Sequence, residues 1–150
     1  MSAEPGAGRI EGRVHLLPVR VYYEDTDFSG LVYHANYLKF FERGRSDFLR
    51  AAGVNHVDLM ALDTAITVLS ITVNFRTAAR IDDALLVRTH FDALAGPRFV
   101  IRQDILRNDT IIADAEVAAC CISLAGRAKR APSLLVDRIK PYLDPERSRF

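Results

Sequence analysis

The chain has 150 residues, enough for one domain with its own core. About half of it is apolar (49%) and the net charge is +1, which excludes a disordered chain and gives no global bias towards nucleic acid or anionic membranes. The two cysteines, Cys120 and Cys121, are adjacent and would point to opposite faces of a strand, so no disulfide framework exists and a reducing cytoplasm is the expected setting.

The first thirteen residues, MSAEPGAGRIEGR, lack the apolar segment of a signal peptide and read as a flexible tail (1–13) ahead of a single domain (14–150). No apolar run is long enough to span a bilayer, so no stable membrane insertion is expected. A first strand is expected over Leu17 to Tyr23. A helix follows from His34 to Ala52, with Tyr37, Phe40, Phe41, Phe48, Leu49 and Ala52 on one stripe and Lys39, Glu42, Arg43, Asp47 and Arg50 on the wet face. Gly44 lies inside the apolar stripe, where glycine costs helix stability, so close packing against a flat partner is its expected reason. Gly53 is a stop signal.

After a mixed segment, Val54 to Asp63, four strand-like runs follow: Thr67 to Arg76, Leu85 to Phe91, Phe99 to Leu106 and Ile111 to Leu124. In the first of these, Leu69, Ile71, Val73 and Phe75 share a face. The turn chemistry between the later strands implies antiparallel pairing. Pro132 to Leu143 is a short terminal helix interrupted by Pro141. One strand, one helix and four consecutive strands make an α+β pattern, economically an antiparallel five-stranded sheet wrapped round one long central helix. Such a sheet leaves edge strands exposed, and twofold pairing of two copies is a direct way to cover them.

The chemistry concentrates in residues 22–45, YYEDTDFSGLVYHANYLKFFERGR. An acidic knot, Glu24-Asp25-Thr26-Asp27, and a Phe28-Ser29-Gly30 turn face the start of the helix at Tyr33-His34-Ala35-Asn36. A helix N-terminus offers free N–H groups and partial positive charge. A carboxylate beside it suits attack on an acyl carbonyl. His15, His56 and His90 show no metal-ligand spacing, Ser29 lacks a nucleophile elbow, and there is no phosphate-binding glycine loop.

The run Asp25-Thr26-Asp27-x-x-Gly30-x-Val32-Tyr33-His34-Ala35-Asn36-Tyr37-x-x-Phe40-x-Glu42-x-x-Arg45 resembles the hotdog-fold thioesterases of the 4-hydroxybenzoyl-CoA thioesterase family, closest to the Tol-Pal-associated acyl-CoA thioesterase branch. The resemblance extends over about residues 17–135, with weaker matches at Asn74-Phe75-Arg76, Asp82-Asp83 and the basic run before Pro132. It implies a hotdog fold, hydrolysis of an acyl-CoA to free acid and coenzyme A, and sites at the interfaces of a homodimer or homotetramer. It implies Asp27 as the catalytic carboxylate and the His34 backbone N–H as the group that polarises the thioester carbonyl. It also implies an association with an envelope complex. Coenzyme A is then part of the substrate and no cofactor is expected.

Several alternatives stay open at this point. Asp27 could attack the carbonyl directly or act as general base on water; Asp25 is its rival, and otherwise Asp25 and Glu24 are structural. The His34 side chain either orients water or substrate or satisfies a local hydrogen bond. Tyr33 and Tyr37 are packing or pocket wall, and Asn36 is a hydrogen-bonding residue near the helix start. Arg127, Lys129 and Arg130 are either a solvated strand end or ligands for coenzyme A phosphates, with Lys129 and Arg130 taken as the substrate-binding pair. Phe28 stands where close relatives commonly have small residues, so it would narrow the acyl tunnel or stack on an aromatic acyl group. A hydratase or dehydratase acting on acyl thioesters, or a non-catalytic acyl-CoA-binding scaffold, are the competing functions. A patch as small as 127–130 does not argue for nucleic acid.

Overall fold

The computed structural model describes Met1 and residues 3–150. Ser2, part of the expected tail, lies outside the described residues. In chain order the elements are β1 (Arg9–Glu11), β2 (Val14–Arg20), a 3-10 turn (Tyr23–Asp25), α1 (Asn36–Ala51), α2 (His56–Ala61), β3 (Ala65–Phe75), β4 (Ala84–Ala95), β5 (Arg98–Arg107), β6 (Thr110–Ile122), α3 (Ser133–Ile139) and a 3-10 turn (Lys140–Tyr142). The strands form one antiparallel sheet in the order β1-β2-β4-β5-β6-β3. This is the α+β hotdog arrangement, with α1 on one face of the sheet.

Among the described residues the sheet has six strands rather than the expected five. The additional strand is β1, whose residues Arg9–Glu11 the sequence reading left in the tail; they pair with Val14–Leu16 through a turn at Gly12, which takes φ +62°. A side chain on α1 explains why this stretch docks. The Asp47 carboxylate accepts the Gly8 N–H at 2.8 Å and bonds His15 Nε2 at 2.7 Å, tying the β1–β2 hairpin to the helix. The strand expected to run to Tyr23 ends at Arg20, because the buried Asp25 carboxylate captures the Tyr22 N–H at 2.8 Å and starts the 3-10 turn.

The amphipathic stripe of α1 buries as its spacing requires: Tyr37, Phe40, Phe41, Gly44, Phe48 and Leu49 all face the sheet. Two core clusters meet under it. Tyr37, Phe40 and Phe41 pack with Val21, Val32, Val87, Ile105 and Ile112 at the N-terminal half. Phe48 and Leu49 pack with Phe91, Phe99, Val117 and Leu135 at the C-terminal half. Each fully buried side chain of this size contributes roughly 1.5–3 kcal/mol. Between the clusters, a Cβ on Gly44 would lie 2.7 Å from Thr89 Oγ1 and 2.9 Å from Val87 Cγ1, so the helix backbone rests on β4 as closely as glycine permits.

β3 departs from its expected alternation. Ile71 and Val73 are half-buried, but Leu69 and Phe75 are half-exposed (49% and 51%). A register irregularity between Val68 and Ser70 takes Leu69 out of phase, and β3 is an edge strand with no neighbour on its far side. The other differences are small. α2 forms within the segment expected to be mixed, and the terminal helix stops at Ile139 before Pro141.

Candidate active site

The acidic loop is fastened to the start of α1 at a single carbonyl. Asp25 O accepts the Tyr33 N–H at 3.0 Å and the Asn36 side-chain amide at 2.8 Å. Thr26 pairs with Val32, the Asp27 N–H donates to Leu31 O at 3.0 Å, and the Gly30 N–H returns to Asp27 O at 3.0 Å, with Gly30 at φ +80°. The far side of the loop rests on the β3–β4 connection, where the Val32 N–H donates to Ala79 O at 2.9 Å and the Ile81 N–H to Gly30 O at 3.3 Å. Asn36, of unassigned weight in the sequence, is therefore the side chain that joins the helix to the carboxylate loop. The Asp25 side chain is buried and spent on Tyr22, as a structural residue would be.

Asp27 is exposed. Its Oδ1 accepts both the Ser29 N–H, at 2.9 Å, and the Ser29 hydroxyl. Its Oδ2 has no protein partner among the described residues. The Ser29 hydroxyl, followed by the Ser29 N–H, holds the Asp27 carboxyl below the usual carboxylate range, so the group is ionised at neutral pH.

The first turn of the helix is wound tightly. The Asn36, Tyr37 and Leu38 N–H groups reach back three residues to Tyr33, His34 and Ala35. The N–H groups of His34 and Ala35 are left without an acceptor among the described residues, and free donors of this kind can stabilise a developing oxyanion. The His34 ring is exposed, 4.5 Å from the Tyr33 ring and edge-on to Phe75 at 6.2 Å. Phe75 also packs on Tyr37 at 5.5 Å, and the Tyr37 hydroxyl accepts the Ala79 N–H at 3.0 Å. Tyr37 is thus packing, and Phe75 is a site-flanking residue that sequence reasoning placed in the sheet and did not connect to the helix entry.

Asp27, Phe28, Tyr33 and His34 fall together in one loop and helix start. Phe28 is fully exposed (105%) and Tyr33 half-exposed. Lys129 and Arg130 fall elsewhere. Lys129 Nζ donates to Leu62 O and Asp63 O at 3.0 and 3.1 Å, capping the carbonyls after α2, just before β3 begins. The Asp27 loop lies past the other end of β3, and eleven residues of strand span roughly 33 Å. Arg130 lines a separate cavity of about 180 Å³ with Leu94, Gly96, Asp137 and Phe150. One copy of the chain therefore does not bring the basic pair to Asp27. A larger cavity of about 590 Å³ lies across the strands, lined by Arg88, His90, Arg102, Asp104 and Glu116, and does not include the loop.

Among the described residues no group of three His, Cys, Asp or Glu side chains could hold a metal ion. Both cysteines are buried; burial pushes the Cys121 thiol up to about 12, which leaves it inert. Among the described residues no helix is long and apolar enough to cross a membrane.

Residues 21–140 match the thioesterase-like superfamily. The chain is 39% identical to an acyl-CoA thioesterase YbgC of Haemophilus influenzae, over 71% of this chain and 79% of that one. It is 38% identical to an acyl-CoA thioester hydrolase YbgC of Escherichia coli, over 82% and 93%. The crystal structure of a probable thioesterase from Bartonella henselae is 41% identical, covers 79% of this chain and 99% of that one, and superposes with a TM-score of 0.76.

Proposed function

The chain belongs to the thioesterase-like superfamily and is an acyl-CoA thioesterase; from that premise we propose that Asp27 supplies its reactive carboxylate and the His34 backbone N–H its oxyanion donor. The observation that supports this reading is a bare carboxylate oxygen, Asp27 Oδ2, in a loop whose Asp25 carbonyl holds Tyr33 and Asn36 at the helix start, where the His34 and Ala35 N–H groups are unspent among the described residues. Asp27 either attacks the thioester carbonyl, giving an acyl anhydride that water then cleaves, or takes a proton from the attacking water. In both routes the carbonyl oxygen gains charge beside the helix start, and the electron pair of the broken C–S bond leaves on sulfur. A thiol pKa of about 8.5 makes that thiolate a good leaving group, so no separate general acid is required. No step passes through a metal or cofactor. Asp27→Asn is expected to lower turnover of acyl-CoA by about 10²- to 10⁴-fold. Wild-type turnover in this variant would reject the assignment. Following free thiol separates hydrolysis from a hydratase or dehydratase reaction.

The same reading includes a twofold dimer formed along β3. This edge strand exposes Val68, Leu69 and Phe75, and Asp27 stands open to solvent in a single copy. Antiparallel pairing of β3 with its own copy has its axis perpendicular to the sheet, so both helix faces stay on one side. The start of one β3 then lies beside the end of the other. That carries Lys129 and Arg130 of one copy, and the exposed Val57 and Met60 of its α2, towards the Asp27 loop of the other. Arg130 is the better phosphate ligand of the pair, because Lys129 already holds two carbonyls. Leu69→Asp is expected to give a monomer with little activity by sedimentation and turnover; a fully active monomer would reject the shared site. Phe28 and Tyr33 form the mouth for the acyl group, and Phe28→Ala is expected to change the acyl-chain profile. Cytoplasmic residence and association with an envelope complex belong to the same reading, and cell fractionation tests both.

A further inference from the structure

Ser29 is the residue whose arrangement the reaction scheme leaves unexplained. It sits between the carboxylate and the backbone of the loop. Its hydroxyl donates to Asp27 Oδ1, its N–H donates to the same oxygen at 2.9 Å, and its oxygen faces the Leu31 N–H at 3.4 Å. Leu31 is in turn paired with Arg80 across the β3–β4 connection. The hydroxyl therefore couples the carboxylate to a stretch of backbone that is itself held by the sheet. Both donors converge on one oxygen, and the second oxygen is left without a partner among the described residues. A serine serving only to form the turn needs just the N–H contact, which any residue supplies.

We infer that Ser29 is a positioning residue: its hydroxyl pins Asp27 Oδ1 and thereby selects Oδ2 as the oxygen that reacts. Charge-assisted hydrogen bonds are short and directional, so two of them on one oxygen fix both the position of the carboxyl group and its plane. Rotation about the terminal carboxylate torsion is otherwise broad and roughly twofold, which would leave the two oxygens interchangeable. The pinning carries a cost in reactivity, since a carboxylate that accepts two donors holds its charge more tightly and is a weaker base and nucleophile. Orientation outweighs this cost, because a reacting group held in the attack geometry gains more than a modest change in basicity removes. The Oγ atom is the part of Ser29 that matters, so threonine at this position is expected to substitute and alanine is not.

The test compares Ser29→Ala, Ser29→Thr and Asp27→Asn in the full chain. Ser29→Ala is expected to lower kcat about tenfold with KM within about twofold of wild type. The Asp27 carboxyl resonance, followed by carbon NMR, is expected to titrate at higher pH in Ser29→Ala than in wild type. Ser29→Thr restores both kcat and the titration. Unchanged or raised kcat in Ser29→Ala, or a loss that Ser29→Thr does not restore, would overturn the role. So would an Asp27 titration indifferent to the hydroxyl. Ser29 has this role only if Asp27 is the reactive group, and the two ideas fail separately. Asp27→Asn with wild-type turnover removes the parent assignment, whereas an inactive Asp27→Asn beside a fully active Ser29→Ala removes only the Ser29 role.

Discussion

Replacing Gly44 with alanine tests how closely the central helix is seated. In an isolated helix the change would help by about 1 kcal/mol, because glycine is the poorer helix former. Here the added methyl would meet Thr89 Oγ1 at 2.7 Å, Val87 Cγ1 at 2.9 Å and Gln103 Nε2 at 3.1 Å. Thr89 and Val87 are fully buried, β-branched side chains on a central strand, and β-branching restricts how far they can turn away. Gln103 Nε2 is engaged too, donating to Phe41 O and Thr89 Oγ1, both at 2.8 Å. Overpacking costs about 1–3 kcal/mol, and displacing Gln103 leaves a buried amide short of acceptors for about 1–3 kcal/mol more. After the propensity gain the net destabilisation is about 1–5 kcal/mol, or a fall in Tm of roughly 2–20 °C for a chain of this size. Thermal and urea unfolding of Gly44→Ala measure it. Val87→Ala should be less harmful in the Gly44→Ala background than alone, because the new methyl fills part of the space that Val87 vacates. Equal or greater stability of Gly44→Ala, or strict additivity in the double variant, would refute the close seating.

Two further outcomes follow from buried ionisable groups. His15 is fully buried, with Nε2 on Asp47 and Nδ1 without a partner among the described residues; burial holds its pKa below 6.5, against the opposing pull of Asp47. His90 is shifted the same way by burial and then by Arg102 and Arg13. The unfolded chain therefore binds more protons just below pH 6.5, so this stability is complete above 6.5 and is lost as pH falls from there towards the folded values. His15→Gln should flatten the decline in Tm between pH 7 and 5, and an unchanged slope would exclude His15 from it. The Asp92 carboxylate is buried between Arg102 and Arg147, the second on the C-terminal segment. Arg147→Ala should cost about 1–3 kcal/mol by urea unfolding, since it strips one partner from a buried charge; a loss under about 0.5 kcal/mol, the range of ordinary surface changes, would show that Arg102 suffices.

Much of the fold was legible in the residues because local periodicity and tertiary environment agree. The 3.6-residue spacing of Tyr37, Phe41 and Phe48 and the alternation in the later strands each present one apolar face, and helix against sheet buries them all. β1 was not legible. A Gly/Arg-rich stretch has little strand character of its own and is held by Asp47, a residue more than thirty positions away. The end of β2 and the phase of β3 were missed for similar reasons, one decided by the Asp25 carboxylate and the other by an irregularity at an edge. Ser29 did leave a signal, a serine two residues after an aspartate in a turn, but that spacing is ordinary turn chemistry and does not by itself show that the hydroxyl reaches the carboxylate.

By itself the sequence determined which short segment sets a carboxylate beside a helix start and what kind of fold surrounds it. Asp27, His34 and the helix they face are neighbours in the chain, and sequence-local contacts need no tertiary information. Only the tertiary structure decided how that segment is arranged atom by atom: one oxygen of Asp27 bound and the other bare, the helix start tied to the loop through Asn36, and the Lys129–Arg130 pair set at the far end of β3. Spacing along a chain fixes which residues share a face. Which hydrogen bonds close, and which end of a strand a distant loop reaches, depends on packing between elements that no local pattern encodes.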